Sequence, residues 1–76
     1  MSESKDELKD CIDLFDVLTV CVNDKVELVI RGQRAMISYR GIIRAISNTA
    51  ILMEVRGSLI AVRLSEIKTA RKLPQK

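Results

Sequence analysis

The side chains with the most chemistry to offer in this chain are its arginines. Arg31, Arg34, Arg40, Arg44, Arg56, Arg63 and Arg71, with Lys25, Lys68, Lys72 and Lys76, stand against only Glu27, Glu54 and Glu66 over residues 25–76. A guanidinium presents a planar fork of donors that matches a phosphate and a flat face that stacks on a base. Residues 1–24 carry the opposite sign, with Glu3, Asp6, Glu7, Asp10, Asp13, Asp16 and Asp24 against Lys5 and Lys9. The whole is a basic body with an acidic appendage, a balance suited to polyanions because phosphate neutralisation drives sequence-independent nucleic-acid binding. Two explanations of the arginines stand side by side: a phosphate-binding track, or charges that solubilise outward strand positions and blunt sheet edges.

Other chemistries lack their parts. The chain has no histidine, no glycine-rich phosphate loop and no nucleophile paired with a base, so neither nucleophilic nor metal-assisted catalysis is expected, and no catalytic residue, metal ligand or cofactor is assigned. Cys11 and Cys21 lie ten residues apart, without the close pairing of a zinc site. On a continuous helix they would fall on different sides, so they are expected to be buried free thiols. No apolar run reaches the length of a membrane span, and the acidic start does not resemble a signal peptide, so a cytoplasmic protein is expected.

These residues need elements to position them. At 76 residues, residues 1–76 are expected to form one domain, with a thin core of Ile, Leu, Val, Met and Ala, since Phe15 and Tyr39 are the only aromatics. Ser4 and Glu7 have the spacing of a capping box, and Leu8, Cys11, Ile12, Phe15 and Leu18 follow at helical period. This predicts an amphipathic helix over 4–18, whose acidic outer face either is merely solvated, shields the basic surface, or recruits a basic protein partner. The β-branched run 19–22 resists continuing the helix, and Asn23 with Asp24 signals a turn.

Strands follow over 25–72, with a frayed tail at 73–76. Val26, Leu28 and Ile30 alternate in a first strand that Gly32 ends. The second is longer, with Ala35, Ile37, Tyr39, Gly41, Ile43 and Ala45 of one parity and Arg34, Arg40 and Arg44 of the other. Gly41 marks a bend, and Tyr39 is expected in the core. A third strand over 49–55 turns at Arg56 and Gly57 into a fourth over 58–64, and a short fifth covers 67–72. The fourth strand is apolar on both faces, with Ile60, Val62 and Leu64 on one and Leu59 and Ala61 on the other, so one face must meet the helix or another subunit.

A helix followed by five short strands, with Val26-x-Leu28, Gly32, Gly41-Ile42-Ile43, Asn48 and Ile51-Leu52, resembles the Sm-like family, that of the Sm and LSm proteins and the Hfq RNA chaperones. Val55-Arg56-Gly57-Ser58-Leu59-Ile60 is similar to the second motif of that family. The segment 49–60 is also similar to part of the tryptophan-regulated RNA-binding attenuation proteins. Cys11-x-Asp13-x-x-Asp16-x-Leu18-x-x-Cys21 is similar to the start of the Sm-like inhibitors of the termination factor Rho. The Sm-like resemblance implies a mainly β fold, a strongly bent five-stranded antiparallel barrel behind an N-terminal helix, that assembles into a homo-oligomeric ring through its strand edges. It also implies RNA binding at Arg31 and Arg56, with Asn48 nearby, beside the strand-borne Arg34, Arg40 and Arg44. The alternative is a small-barrel module that binds protein and regulates a larger transcription or RNA-processing machine without touching nucleic acid.

Overall fold

The computed structural model describes residues 8–74. Seven strands form two antiparallel sheets: β1 (Cys11–Leu14), β2 (Leu18–Cys21), β3 (Lys25–Arg31), β4 (Met36–Ile46), β5 (Ala50–Val55), β6 (Ser58–Arg63) and β7 (Ile67–Lys72), with a single 3-10 turn at Leu64–Glu66. β1 and β2 pair only with each other, while the larger sheet has the order β6-β5-β4-β3-β7.

Two parts of the expected architecture are corrected. There is no N-terminal helix among the described residues: 8–21 contain a hairpin instead, and positions 4–7 of the expected helix lie outside the described residues. The barrel is also not closed, because β6 and β7 are edges of an open sheet and do not pair. The five strands expected after residue 24 do exist, within one or two residues of their expected limits.

Pairing explains the hairpin. Ile12, Leu14, Leu18 and Val20 project to one side with period two, and Leu14 and Val20 join the core. Leu8 and Phe15, which helical spacing puts on the apolar face, are 77% and 51% exposed. The turn needs left-handed backbone at Phe15 (φ 56°) and Asp16 (φ 60°), and the Val17 amide donates to the Leu14 carbonyl at 3.1 Å. Two successive positive φ values are those of a type I′ turn, whose twist suits a hairpin. Cys11 and Cys21 are directly opposite each other and form a disulfide, not the free thiols expected from a helix. The hairpin base is tied to the end of β4: the Lys9 amide donates to the Ile46 carbonyl and the Asn23 amide to that of Ile43, both at 2.8 Å.

One core fills the concave side of the larger sheet. Val26 and Leu28 of β3, Ile43 and Ile46 of β4, Ile51 and Met53 of β5, Val62 of β6 and Ile67 of β7 are buried there with Leu14 and Val20. β4 bends to wrap this core by two devices. At Gly41 the β5 backbone comes so close that a Cβ would collide with the Glu54 carbonyl oxygen. At Arg44 the register shifts, Ile43 facing Met53 and Ala45 facing Leu52, so that one extra residue bulges out and increases the local twist.

Candidate nucleic-acid interface

The first half of β4 extends beyond β5. Residues 36–42 pair with β3, whereas pairing to β5 begins only at Ile42 opposite Glu54. At that step β5 turns into β6 through Arg56 (φ 55°) and Gly57 (φ 84°), another pair of left-handed residues suited to a tight hairpin. The turn thereby lies beside the open flank of β4. Ser38, Tyr39, Arg40, Val55 and Arg56 line a cleft of about 450 Å³.

Sequence parity places Arg40 and Arg56 on unrelated strands; the bend brings them to one cleft. Tyr39 was expected in the core. Its neighbour across the strand is Leu28 and it packs against the core, yet it is only half-buried and its remaining surface lines the cleft. The cleft thus combines an aromatic residue on which a base can stack with arginine donors for phosphate. The signal that could have revealed Tyr39 is Gly41 two residues later, which brings β5 and its turn across β4 at that level.

The charges around the cleft are partly neutralised. On the outward face Glu27 of β3 lies between Arg40 and Arg71, its partners in register on either side. It accepts from the Ser38 hydroxyl at 2.7 Å, from Arg71 Nε at 2.6 Å and from Arg40 Nε at 3.4 Å. The Ser38 hydroxyl, then Arg71, with a smaller contribution from Arg40, hold its carboxyl down at about 2, against an ordinary value of 4.5. The contact to Arg40 is long for a hydrogen bond and that side chain is 65% exposed, so Arg40 keeps donors for a ligand.

The other expected site residues are dispersed. Arg44 is held by Glu54, with Nε at 2.8 Å and Nη2 at 2.7 Å from the same oxygen. Arg34 does not share the β4 face with Arg40 and Arg44: it belongs to the loop between β3 and β4, where it lines a shallow hollow with Arg31, Gly32, Gln33, Ala35 and Met36. Arg31, Arg34 and Arg56 are exposed and form no ion pair with a described residue. Asn48 is at the other end of β4, in a turn that the Ser47 hydroxyl braces by accepting from the Ala50 amide at 3.1 Å, and it borders a groove with Ala61, Arg63 and Leu64. It does not meet the arginine cleft. A basic arm thus runs from Arg31 and Arg34 at the loop to Arg40 and Arg56 at the cleft, along one half of β4.

Among the described residues no group of three or more His, Cys, Asp or Glu side chains is placed to hold a metal ion. Comparison with models of protein families, with curated proteins and with solved structures finds no match for this chain.

Proposed function

We propose that this protein binds single-stranded RNA along the arm from Arg34 to Arg56, with a base against Tyr39 and phosphates on Arg31, Arg34, Arg40 and Arg56. The observation that supports this reading is the cleft itself, which the chain's single tyrosine lines together with Arg40 and Arg56, with Arg31 and Arg34, which form no ion pair with a described residue, at the loop end of the same half of β4. Mere solubilisation of a strand face does not call for Arg40 of β4 and Arg56 of the β5–β6 turn to line one cleft with a half-buried tyrosine. One stacking residue gives little sequence readout, so affinity is expected to come from phosphate contacts and to be sequence-tolerant.

The test is the salt dependence of binding to a dye-labelled oligouridylate. Three or four phosphate contacts give a log-log slope of about −2 to −3, at about −0.7 per contact on a single strand. Arg34→Glu combined with Arg56→Glu removes two exposed cations with no described ion pair, so the fold is retained while the slope drops by about 1.4. A slope near zero, or a variant that binds as tightly as the parent, rejects the reading and leaves the protein-binding alternative.

A further inference from the structure

The two edges of the large sheet are built differently. β7 is guarded: it carries Lys68, Arg71 and Lys72, all exposed, its register against β3 slips between Val29 and Ile30 so that Lys68 bulges, and Pro74 follows it. Cations, a bulge and a nearby proline are devices by which natural sheets prevent edge pairing. β6 has none of them over most of its length. Its six residues pair with β5 in unbroken register, and its sequence is Ser58, Leu59, Ile60, Ala61, Val62 and Arg63, with a single charge at the last position.

The backbone of β6 is also available. The Leu64 amide donates to the Thr49 carbonyl at 2.9 Å, which fixes the alternation of the ladder. Ser58, Ile60 and Val62 therefore turn their amides and carbonyls to β5, and Leu59, Ala61 and Arg63 turn theirs to the open side. None of these three residues has a backbone bond to a described residue outside the strand ladder. Their side chains lie on the outward face, all exposed, Leu59 at 62%. The helix or subunit that this apolar face was expected to meet is not supplied by the chain's own hairpin, whose base is tied to β4.

We infer that β6 pairs with β6 of a second copy, antiparallel about a two-fold axis at Ala61. Of the two edges a second copy could offer, only β6 is unguarded, and self-pairing of β7 would set its cations against one another. The register that uses all the free groups puts Ala61 opposite Ala61 of the partner subunit and Leu59 opposite Arg63 of the partner subunit. Three such pairs exchange about six backbone hydrogen bonds, and opposite residues lie on the same face, as a sheet requires. The charges also agree. Glu54, whose Oε1 already holds Arg44, faces Leu59 across β5 and β6, so the partner's arginine enters the row that contains it, two strand spacings away at roughly 10 Å between backbones. Arg63 has no ion pair with a described residue of its own chain. The contact is isologous and closes at two copies. This inference rests on the sheet edge alone and stands whether or not the arm binds RNA.

Sedimentation equilibrium of the full chain tests it. The expected mass is twice 8.6 kDa. Ala61→Pro removes amides from both sides of the axis and is expected to raise the dimer dissociation constant by more than about tenfold, since an outward-facing edge amide can be lost without disturbing β5. Should that variant fail to fold by circular dichroism, Ala61→Lys, which sets two like charges against each other across the axis, is read in its place. A monomer at all concentrations, a dimer that either folded variant leaves intact, or a mass of five or more copies indicating head-to-tail pairing of β6 with β7, overturns the inference.

Discussion

The hairpin of β1 and β2 and the sheet of β3 to β7 are both antiparallel, yet they carry opposite charge and are held by different forces. The hairpin and its approach carry Asp10, Asp13 and Asp16, and four cross-strand pairs are closed by the Cys11 to Cys21 disulfide. The sheet and the turns between its strands carry every arginine, and four ladders hold it over a shared core. They are also separated along β4. The hairpin is anchored at Ile43 and Ile46, whereas Arg31, Arg34, Arg40 and Arg56 line the loop hollow and the cleft at the other half of β4. From Arg40 the strand spans roughly 10 Å to Ile43 and roughly 20 Å to Ile46, against a Debye length of about 8 Å in physiological salt. The nearer anchor is thus about one Debye length from Arg40, so salt weakens the field of the hairpin's carboxylates at the cleft without abolishing it. The acidic segment of the sequence forms a sheet of its own.

The contrast is sharpest when each region is broken separately. Gly41→Val drives a side chain into the Glu54 carbonyl and separates β4 from β5, so a loss of more than about 4 kcal/mol is expected, enough to unfold most of the population of a marginally stable small domain. The check is loss of the strand signal in far-ultraviolet circular dichroism. Replacing Cys11 and Cys21 together by serine releases a closed loop of about 11 residues, for which chain entropy gives about 3 kcal/mol. That corresponds to a fall in Tm of roughly 12 to 24 °C for a chain of this size. At low temperature the sheet of this variant is expected to persist and to bind oligouridylate as before, because the cleft draws nothing from the hairpin. A loss of binding in step with the loss of the disulfide would merge the two regions into one.

Smaller changes refine the comparison. Phe15 is an exposed aromatic in left-handed backbone, a conformation that costs an ordinary residue about 1–2 kcal/mol. Phe15→Gly is expected to raise stability by about 1 kcal/mol in chemical denaturation, and a decrease would mean that the ring makes contacts that outweigh the backbone cost. In the sheet, Glu27 supplies the pH dependence. Its carboxyl is held at about 2 against 4.5 when unfolded, so the charged form favours the folded state. Its contribution is complete above about pH 4.5 and is lost as pH falls towards 2. Denaturation midpoints across that window should decline for the parent chain and decline less for Glu27→Gln.

The sequence disclosed the sheet and concealed the hairpin, for physical reasons visible in particular residues. Val26, Leu28 and Ile30 alternate cleanly, Gly32 and Gly57 mark turns, and Gly41 marks the bend. In residues 8–18, by contrast, Leu8, Cys11, Ile12 and Phe15 also satisfy a helical period, and the turn at Phe15 and Asp16 has neither the glycine nor the asparagine that normally announces left-handed backbone. Only the symmetry of Cys11 and Cys21 about Asp16, with Asp13 opposite Thr19 and their side chains hydrogen-bonded at 2.6 Å, distinguishes a hairpin there. Among the site residues, Arg31, Arg40 and Arg56 were legible as exposed cations. Tyr39 was not, because its strand parity is that of the core, and its surface becomes accessible only where β4 outruns β5.

The chain's single tyrosine and lack of tryptophan make the central claim directly measurable, because intrinsic fluorescence near 300 nm (about the tyrosine emission) reports Tyr39 alone. Titration with an unlabelled oligouridylate should quench that emission saturably, with the midpoint found from the labelled strand, and Arg40→Glu with Arg56→Glu should abolish the quenching while leaving the starting emission in place. Binding of the oligonucleotide with no change in Tyr39 emission would contradict the account, since the RNA would then be held away from the cleft.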